Sequence, residues 1–150
     1  MRPQHITFTI DSRLEDVSLL AEQVKVLCLS AKLSRVESHQ VELCIVEAVN
    51  NVIRHAYHND PGHAVEVAVT IRADEIMFEI SDTGTAADPE IMHADHRSAL
   101  EPEDGNLSQV QVSGRGIAII QALMDSFNYT PGHPKNQLRL TKLLESTANL

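Results

Sequence analysis

Two neighbouring stretches in the middle of the chain alternate apolar and other residues without a break. The apolar positions are Val65, Val67, Val69 and Ile71 in the first stretch and Ile76, Phe78 and Ile80 in the second. A period of two is that of a half-buried strand, and the short Ala73-Asp74 turn between the stretches predicts an antiparallel hairpin. One face of this hairpin must be buried, which requires a covering layer.

The preceding segments predict that layer. Ile6, Phe8 and Ile10 alternate as a first strand, and Asp11 and Ser12 after it offer helix-capping side chains. Apolar residues then recur at intervals of three and four, the period of a helix with one apolar stripe. This pattern predicts helices over residues 14–33 and about 37–57, ended by the Asn-Asp-Pro-Gly run at 59–62.

The second half of the chain begins with a change of pattern. From Thr83 to Ser113 periodicity is lost, and we expect an irregular loop that acts as a lid. Gly114-Arg115-Gly116 should open a third helix, and residues 127–130 and 137–144 a final strand pair. Together these elements predict an α+β fold. It is a two-layer sandwich, with a mostly antiparallel mixed sheet and helices on one face.

Bulk properties narrow the possible partners. A length of 150 residues fits one domain over residues 1–150. The net charge of −9 argues against nucleic acid, because nucleic-acid binders usually present a basic patch. No segment approaches the roughly 20 apolar residues of a membrane span, and the N-terminus does not resemble a signal peptide. We therefore expect a cytoplasmic protein without a membrane partner.

Glu47, Asn51 and His55 form a polar row at intervals of four on the second helix. A carboxylate and an amide one turn apart could place a proton acceptor beside an oxygen ligand for Mg²⁺. A solvated helix edge is the more common explanation of such spacing. The row by itself leaves both interpretations open.

Two further elements combine glycine with polar residues. Asp82 follows a strand and precedes a glycine turn, where a carboxylate could accept the exocyclic amino group of adenine. Gly114, Arg115 and Gly116 begin a helix, whose N-terminal N–H groups can hold phosphate oxygens. An Asp-rich turn and an ordinary glycine-rich helix entry are the alternatives.

Taken together, the three elements match one family in order and spacing. E-x-x-x-N-x-x-x-H-A at 47–56, D-x-G-x-A at 82–86 and G-R-G-I at 114–117 resemble the N, G1 and G2 boxes of GHKL ATPases. Within that superfamily, EAVNNVIRHAY and GRGIAIIQALMDSFNY are similar to anti-sigma-factor serine/threonine kinases of the RsbW and SpoIIAB type. The resemblance spans nearly the whole chain.

The resemblance implies a Bergerat ATP-binding fold with ATP and Mg²⁺ as cofactors. It gives each motif residue a role. Glu47 activates the attacking hydroxyl, Asn51 binds Mg²⁺, Asp82 binds the adenine amino group, Gly84 lines the adenine pocket, and Gly114, Arg115 and Gly116 enclose the phosphates.

Two positions depart from the family pattern. Ala86 stands at the second glycine of the G1 box. Lys135-Asn136 stands where the family has a late Gly-Thr, and Asn136 is expected to hydrogen-bond near adenine.

The resemblance also implies a function and partners. The leading hypothesis is a kinase that binds a sigma factor or an equivalent regulator. It would phosphorylate a STAS-domain anti-anti-sigma protein, and it is expected to be a homodimer. The alternative is a catalytically weak or inactive binding module, regulated by nucleotide, that sequesters a regulator. A detached catalytic domain of a sensor histidine kinase is a third possibility.

His93 and His96 have no second ligand pair, which favours a solvated loop over a metal site.

Overall fold

The computed structural model of the chain describes residues 2–100 and 112–145. The regular elements are β1 (Gln4–Asp11), α1 (Val17–Ser30), α2 (Arg35–Asn51), β2 (Ala64–Ile71), β3 (Glu75–Asp82), α3 (Pro89–His93), α4 (Val112–Leu123), β4 (Ser126–Thr130) and β5 (Asn136–Leu143). A π-helical turn, Val52–Ala56, extends α2. No helix within the described ranges is both long and apolar enough to cross a bilayer.

The five strands form one sheet in the order β1-β2-β3-β5-β4. All four neighbouring pairs are antiparallel, so the expected mixed sheet is corrected to a fully antiparallel one. The predicted hairpin is confirmed, and its register pairs Val69 with Phe78. Because β3 lies beside β5, the last residue of β3, Asp82, is paired with the first residue of β5, Asn136.

The core lies between one face of this sheet and the helices α1, α2 and α4. Strand residues at alternate positions point into it, as the period of two requires. The core residues with no more than 2% exposure include Val24, Cys28, Val41, Cys44, Ile45, Val49, Ile53, Val65, Val67, Ile76, Phe78, Ile80, Ile120 and Leu140. The two-layer α+β prediction is confirmed.

The helix boundaries differ from the predicted ones. α1 begins at Val17, after a short 3₁₀ turn at Leu14–Asp16, and ends before Lys32, which has a positive φ of 70°. α2 begins earlier than predicted because Ser34 caps it, accepting a hydrogen bond from the Glu37 N–H at 3.1 Å.

Asp11 and Ser12 do not cap α1, as the sequence had suggested. Asp11 accepts the Gly62 N–H at 3.1 Å, and the Ser12 hydroxyl donates to the Asp60 carbonyl at 2.7 Å. The Ser12 hydroxyl also accepts the His63 N–H at 3.1 Å. These two side chains therefore tie the end of β1 to the loop before β2.

The predicted lid over residues 83–113 is not irregular throughout. Asp88 caps the short helix α3 by accepting the Glu90 N–H at 2.9 Å, and Pro89 occupies the first helical position. A 3₁₀ turn follows at Arg97–Leu100. Residues 101–111 of the lid lie outside the described residues. α4 begins at Val112, two residues before the predicted start at Gly114, so Gly114 lies in its first turn.

Candidate functional site

The first part of the site lies where α2 faces α4. Glu47 and Asn51 are half-buried one turn apart on α2, and His55 follows on the π turn and is exposed. A Cβ atom on Gly116 would lie 2.7 Å from Oε2 of Glu47. The structure therefore brings the predicted proton acceptor against the glycine motif of α4, although the two are far apart in sequence.

The Glu47 and Asn51 side chains have few polar contacts within the described part of the chain. Among the side chains that the structure describes, which exclude those of residues 101–114, neither takes part in a side-chain hydrogen bond, and Glu47 forms no ion pair. The described residues contain no group of three or more His, Cys, Asp or Glu side chains that could hold a metal. Mg²⁺ in kinases usually takes one or two protein ligands plus phosphate oxygens and water, so the free amide oxygen of Asn51 fits this ion.

The second part of the site is a hydrogen-bonded cluster at the ends of β3 and β5. Asp82 and Asn136 are buried, with 6% and 2% exposure. Oδ1 of Asp82 accepts the Gly84 N–H and the Asn136 side-chain amide, both at 2.9 Å. The Asn136 amide also donates to the Gly84 carbonyl at 3.0 Å. Both amide hydrogens of Asn136 are therefore used within the protein.

The two carboxylate oxygens of Asp82 differ in their surroundings. Within the described residues, Oδ2 has no hydrogen-bond partner. It is not one of the fully buried side-chain atoms without a partner, so solvent reaches it. Burial raises the pKa of Asp82, while hydrogen bonds from Asn136 and Gly84 lower it in part. One oxygen is thus fixed by the protein and the other can accept an N–H group.

Gly84 packs against the C-terminal end of α2. A Cβ atom there would overlap the Ala56 carbonyl oxygen and lie 2.9 Å from Cδ1 of Tyr57. The Thr85 N–H donates to the same Ala56 carbonyl at 2.9 Å. Ala86 is exposed and is not among the residues with positive φ, so its methyl group is accommodated without backbone strain.

The glycine motif of α4 forms the third part of the site. Gly114 and Arg115 fall within the first turn, where backbone N–H groups have no partner inside the helix. The side chain of Arg115 is exposed. Gly116 has a different role: the absence of a side chain there leaves room for the Glu47 carboxylate.

Two tyrosines that no motif role covers also contact the site. The Tyr57 hydroxyl accepts the Thr83 N–H, and the Tyr129 hydroxyl accepts the Ala87 N–H, both at 2.9 Å. In the sequence, each tyrosine is the last residue of one of the two stretches that resemble the family, EAVNNVIRHAY and GRGIAIIQALMDSFNY. Polar contacts between a side chain and a distant backbone leave no periodic pattern.

The two histidines of the predicted lid serve local structure. The Tyr129 N–H donates to Nε2 of His93 at 3.0 Å, and Nδ1 of His93 contacts the Pro89 carbonyl at 2.8 Å. Nε2 of His96 contacts the Ile91 carbonyl at 2.6 Å. These ring nitrogens are engaged with backbone groups, which supports the interpretation without a metal.

Comparisons with known proteins identify relatives of this chain. The anti-sigma F factor of Oceanobacillus iheyensis is 34% identical over 90 residues, covering 60% of this chain and 58% of that protein. The serine/threonine-protein kinase BtrW of Bordetella bronchiseptica is 32% identical, covering 66% of each chain. The chain thus spans 58% and 66% of the length of these two relatives, less than two thirds of each. The serine-protein kinase RsbW of Listeria monocytogenes is 25% identical, covering 80% of this chain and 75% of that protein.

A solved structure supports the fold. The crystal structure of the RsbU and RsbW domains of Rv1364c from Mycobacterium tuberculosis superposes with a TM-score of 0.62 at 17% identity, covering 97% of this chain and 34% of that one. The family model described as a histidine kinase-like ATPase domain matches residues 10–142, a range that contains every candidate site residue. The chain therefore belongs to the histidine kinase-like ATPase domain family.

Proposed function

We propose that this domain binds Mg-ATP and transfers its γ-phosphoryl group to a serine or threonine of a partner protein. The observation that carries the proposal is the approach of Glu47 to Gly116 at the start of α4. A carboxylate with no side-chain partner among the described side chains thus lies against the helix whose first turn would supply N–H groups to phosphate. The relatives named serine/threonine-protein kinase BtrW and serine-protein kinase RsbW support the same activity.

Asp82 is the proposed adenine receptor. Its Oδ2 can accept the exocyclic amino group of adenine, while Oδ1 is held by the Gly84 N–H and by Asn136. A carboxylate only accepts hydrogen bonds, so it favours adenine over a base with a carbonyl at that position. Asn136 has both amide hydrogens engaged, so its proposed role is to orient the Asp82 carboxylate through the hydrogen bond between them. Gly84 and Ala86 would border the base.

The phosphates are assigned to the first turn of α4. Gly114 and Arg115 would offer backbone N–H groups, and the exposed Arg115 side chain would add positive charge. Bound at Asn51, Mg²⁺ would neutralise charge on the phosphate oxygens. Glu47, one turn before Asn51, would accept the proton of the attacking hydroxyl. Most of the acceleration would come from positioning and charge stabilisation.

The proposed partners are an anti-anti-sigma protein with a STAS domain, as substrate, and a sigma factor or an equivalent regulator. We further propose that the domain acts in the cytoplasm as a homodimer. The relatives named anti-sigma F factor support a partner-switching role. The alternative of an inactive module gains no support from Ala86, because that residue is exposed and unstrained.

Two measurements test the proposal. Calorimetric titration of ADP and ATP with Mg²⁺ should show saturable binding to the wild type and little or none to Asp82→Ala. Labelled ATP should then pass phosphate to a serine of a STAS-domain protein from the same genome, and Glu47→Gln should abolish transfer while binding nucleotide normally. Absence of nucleotide binding by the folded wild type would refute the proposal. Binding without transfer would leave the nucleotide-regulated module as the function.

A further inference from the structure

The segment that follows Asp82 is held by four hydrogen bonds from its backbone N–H groups. We call residues 83–87 the 83–87 turn. Its backbone N–H groups donate to four different acceptors: Thr83 to the Tyr57 hydroxyl, Gly84 to Asp82, Thr85 to the Ala56 carbonyl, and Ala87 to the Tyr129 hydroxyl. All four distances are 2.9 Å. The two tyrosine hydroxyls therefore hold the first and the last residue of the turn.

The two tyrosines belong to different parts of the fold. Tyr57 directly follows the π turn after α2, and Tyr129 lies on β4. Both are buried, at 6% and 8% exposure. The 83–87 turn is consequently held from the helical layer at one end and from the sheet at the other.

Each tyrosine is itself fixed in place. The Tyr57 hydroxyl donates to the Ala64 carbonyl at 2.6 Å, and its ring stacks on His63 with centroids 4.7 Å apart. The backbone N–H of Tyr129 donates to Nε2 of His93 at 3.0 Å. Rigid supports of this kind are what a preorganised binding site needs.

Tyr57 also makes contact through its ring. A Cβ atom on Gly84 would lie 2.9 Å from Cδ1 of Tyr57, so the ring packs closely against the glycine backbone. The Gly84 N–H in turn donates to Oδ1 of Asp82. A chain of contacts thus runs from the Tyr57 ring through Gly84 to the carboxylate proposed to bind adenine.

We propose that Tyr57 and Tyr129 are positioning residues that hold the 83–87 turn, and through it Asp82, in the conformation that recognises adenine. This inference rests on the proposed nucleotide-binding function. Removing either hydroxyl leaves one backbone N–H of the turn without its acceptor. The carboxylate then loses orientation, and both affinity for adenine and discrimination against other bases decrease.

Calorimetry on three variants tests the inference. ADP and IDP, which replaces the adenine amino group by a carbonyl, are titrated with Mg²⁺ into the wild type, Tyr57→Phe and Tyr129→Phe. Loss of one hydrogen bond should raise the Kd for ADP about fivefold in each variant. The ratio of the Kd for IDP to that for ADP should fall, which a general loss of folded protein would not cause.

A matched control removes a hydroxyl elsewhere. Ser30→Ala deletes an exposed hydroxyl that donates to the Leu27 carbonyl at 2.8 Å in α1, remote in sequence from the turn. Its ADP affinity and Kd ratio should equal those of the wild type. Chemical denaturation of all variants confirms that the titrated protein is folded.

The low tyrosine count allows a direct spectroscopic test. Incorporation of 3-fluorotyrosine should give two ¹⁹F resonances, from Tyr57 and Tyr129, and each Phe variant assigns one of them. Saturating ADP should shift both resonances, since both rings hold the turn that the base contacts. Resonances that stay in place while calorimetry shows binding would overturn the inference.

The outcomes separate this inference from the function on which it rests. If Asp82→Ala loses ADP binding while both Phe variants match the wild type in affinity and in Kd ratio, the positioning role is wrong and the nucleotide site stands. If the folded wild type binds no nucleotide, both proposals fail.

Discussion

Oε2 of Glu47 lies 2.7 Å from the point that a Cβ atom on Gly116 would occupy. The contact joins α2 to the first turns of α4, which carry two separate motifs of the sequence. Gly116 is needed here for close approach and not for an unusual backbone conformation, because it lies inside a regular helix. Glycine destabilises a helix relative to alanine, and the close approach of Glu47 explains why glycine occupies this position.

A Gly116→Ala variant should separate stability from activity. Alanine is favoured over glycine in a helix by about 1 kcal/mol. The atom it meets belongs to the flexible end of Glu47, so the free energy of unfolding should stay the same or increase. Displacement of the carboxylate should slow phosphoryl transfer by roughly 10- to 100-fold. Chemical denaturation and single-turnover transfer from labelled ATP measure the two effects.

Glu47→Gln is the matched control for that variant, since it keeps the shape of the side chain and removes its basicity. Both variants should bind ADP as tightly as the wild type. Full transfer activity in Gly116→Ala would show that the contact with Glu47 has no part in catalysis.

Asp82→Asn should change base preference. The side chain keeps one oxygen, which can still accept the Gly84 N–H and the Asn136 amide, and gains an amide nitrogen where Oδ2 was. That nitrogen donates, so it opposes the adenine amino group and suits the carbonyl of IDP. The Kd for ADP should rise at least tenfold, corresponding to about 1.4 kcal/mol, and the preference for ADP over IDP should shrink or invert. Retention of full ADP affinity would remove Asp82 from the adenine site.

The pH dependence of binding tests the role of Asn136. Burial raises the pKa of Asp82, and the hydrogen bond from Asn136 lowers it in part. Asn136→Ala should therefore raise that pKa further and move the acidic limb of ADP affinity to higher pH. Calorimetric titrations at a series of acidic pH values measure the shift. Asn128→Ala, an exposed change on β4, is the control and should leave the profile unchanged.

The same shift has a defined effect on stability. A carboxyl group whose pKa is higher in the folded state binds its proton more tightly there, so its contribution is full below the unfolded pKa and is lost as pH rises through the folded value. The free energy of unfolding of Asn136→Ala should fall more steeply than that of the wild type over this acidic range. A parallel pH profile would contradict the assigned hydrogen bond.

Gly84→Ala should damage both fold and site. The added Cβ would overlap the Ala56 carbonyl, which is backbone and already accepts the Thr85 N–H. It cannot move aside as the Glu47 side chain can. We expect a loss of about 1 to 3 kcal/mol in the free energy of unfolding and weaker ADP binding. Ser30→Ala, at an exposed position on α1 remote in sequence from the site, is the control and should bind ADP like the wild type.

The sequence predicted those features that depend on local pattern. The period of two placed Val69 and Phe78 on one face of a hairpin, and the register confirms it. The helical stripes and the position of Asp82 at the end of a strand followed from the same kind of signal. Three widely separated motifs were assigned to one site only through the family resemblance, because spacing alone left each of them with a simpler explanation.

Other features could not be derived because they depend on tertiary contacts. The π turn at Val52–Ala56 has no distinct composition, and the pairing of Asp82 with Asn136 depends on β5 lying between β3 and β4. The role of Asn136 followed only from where its two amide hydrogens go. The helix α3 is too short to show periodicity and was predicted as loop.

The two cysteines allow unfolding to be followed chemically. Cys28 on α1 and Cys44 on α2 are free thiols with 0% exposure, and burial raises the pKa of each to about 12. Only the thiolate is nucleophilic, so at pH 8 a thiol reagent should modify neither residue in the folded protein and both in denaturant.

Labelling in native buffer should follow the rate of opening of the helical layer. A ligand that binds only the folded state reduces that opening, so saturating ADP should slow labelling of the wild type and not of Asp82→Ala. Equal protection of both proteins by ADP would show that nucleotide binds outside the Asp82 site.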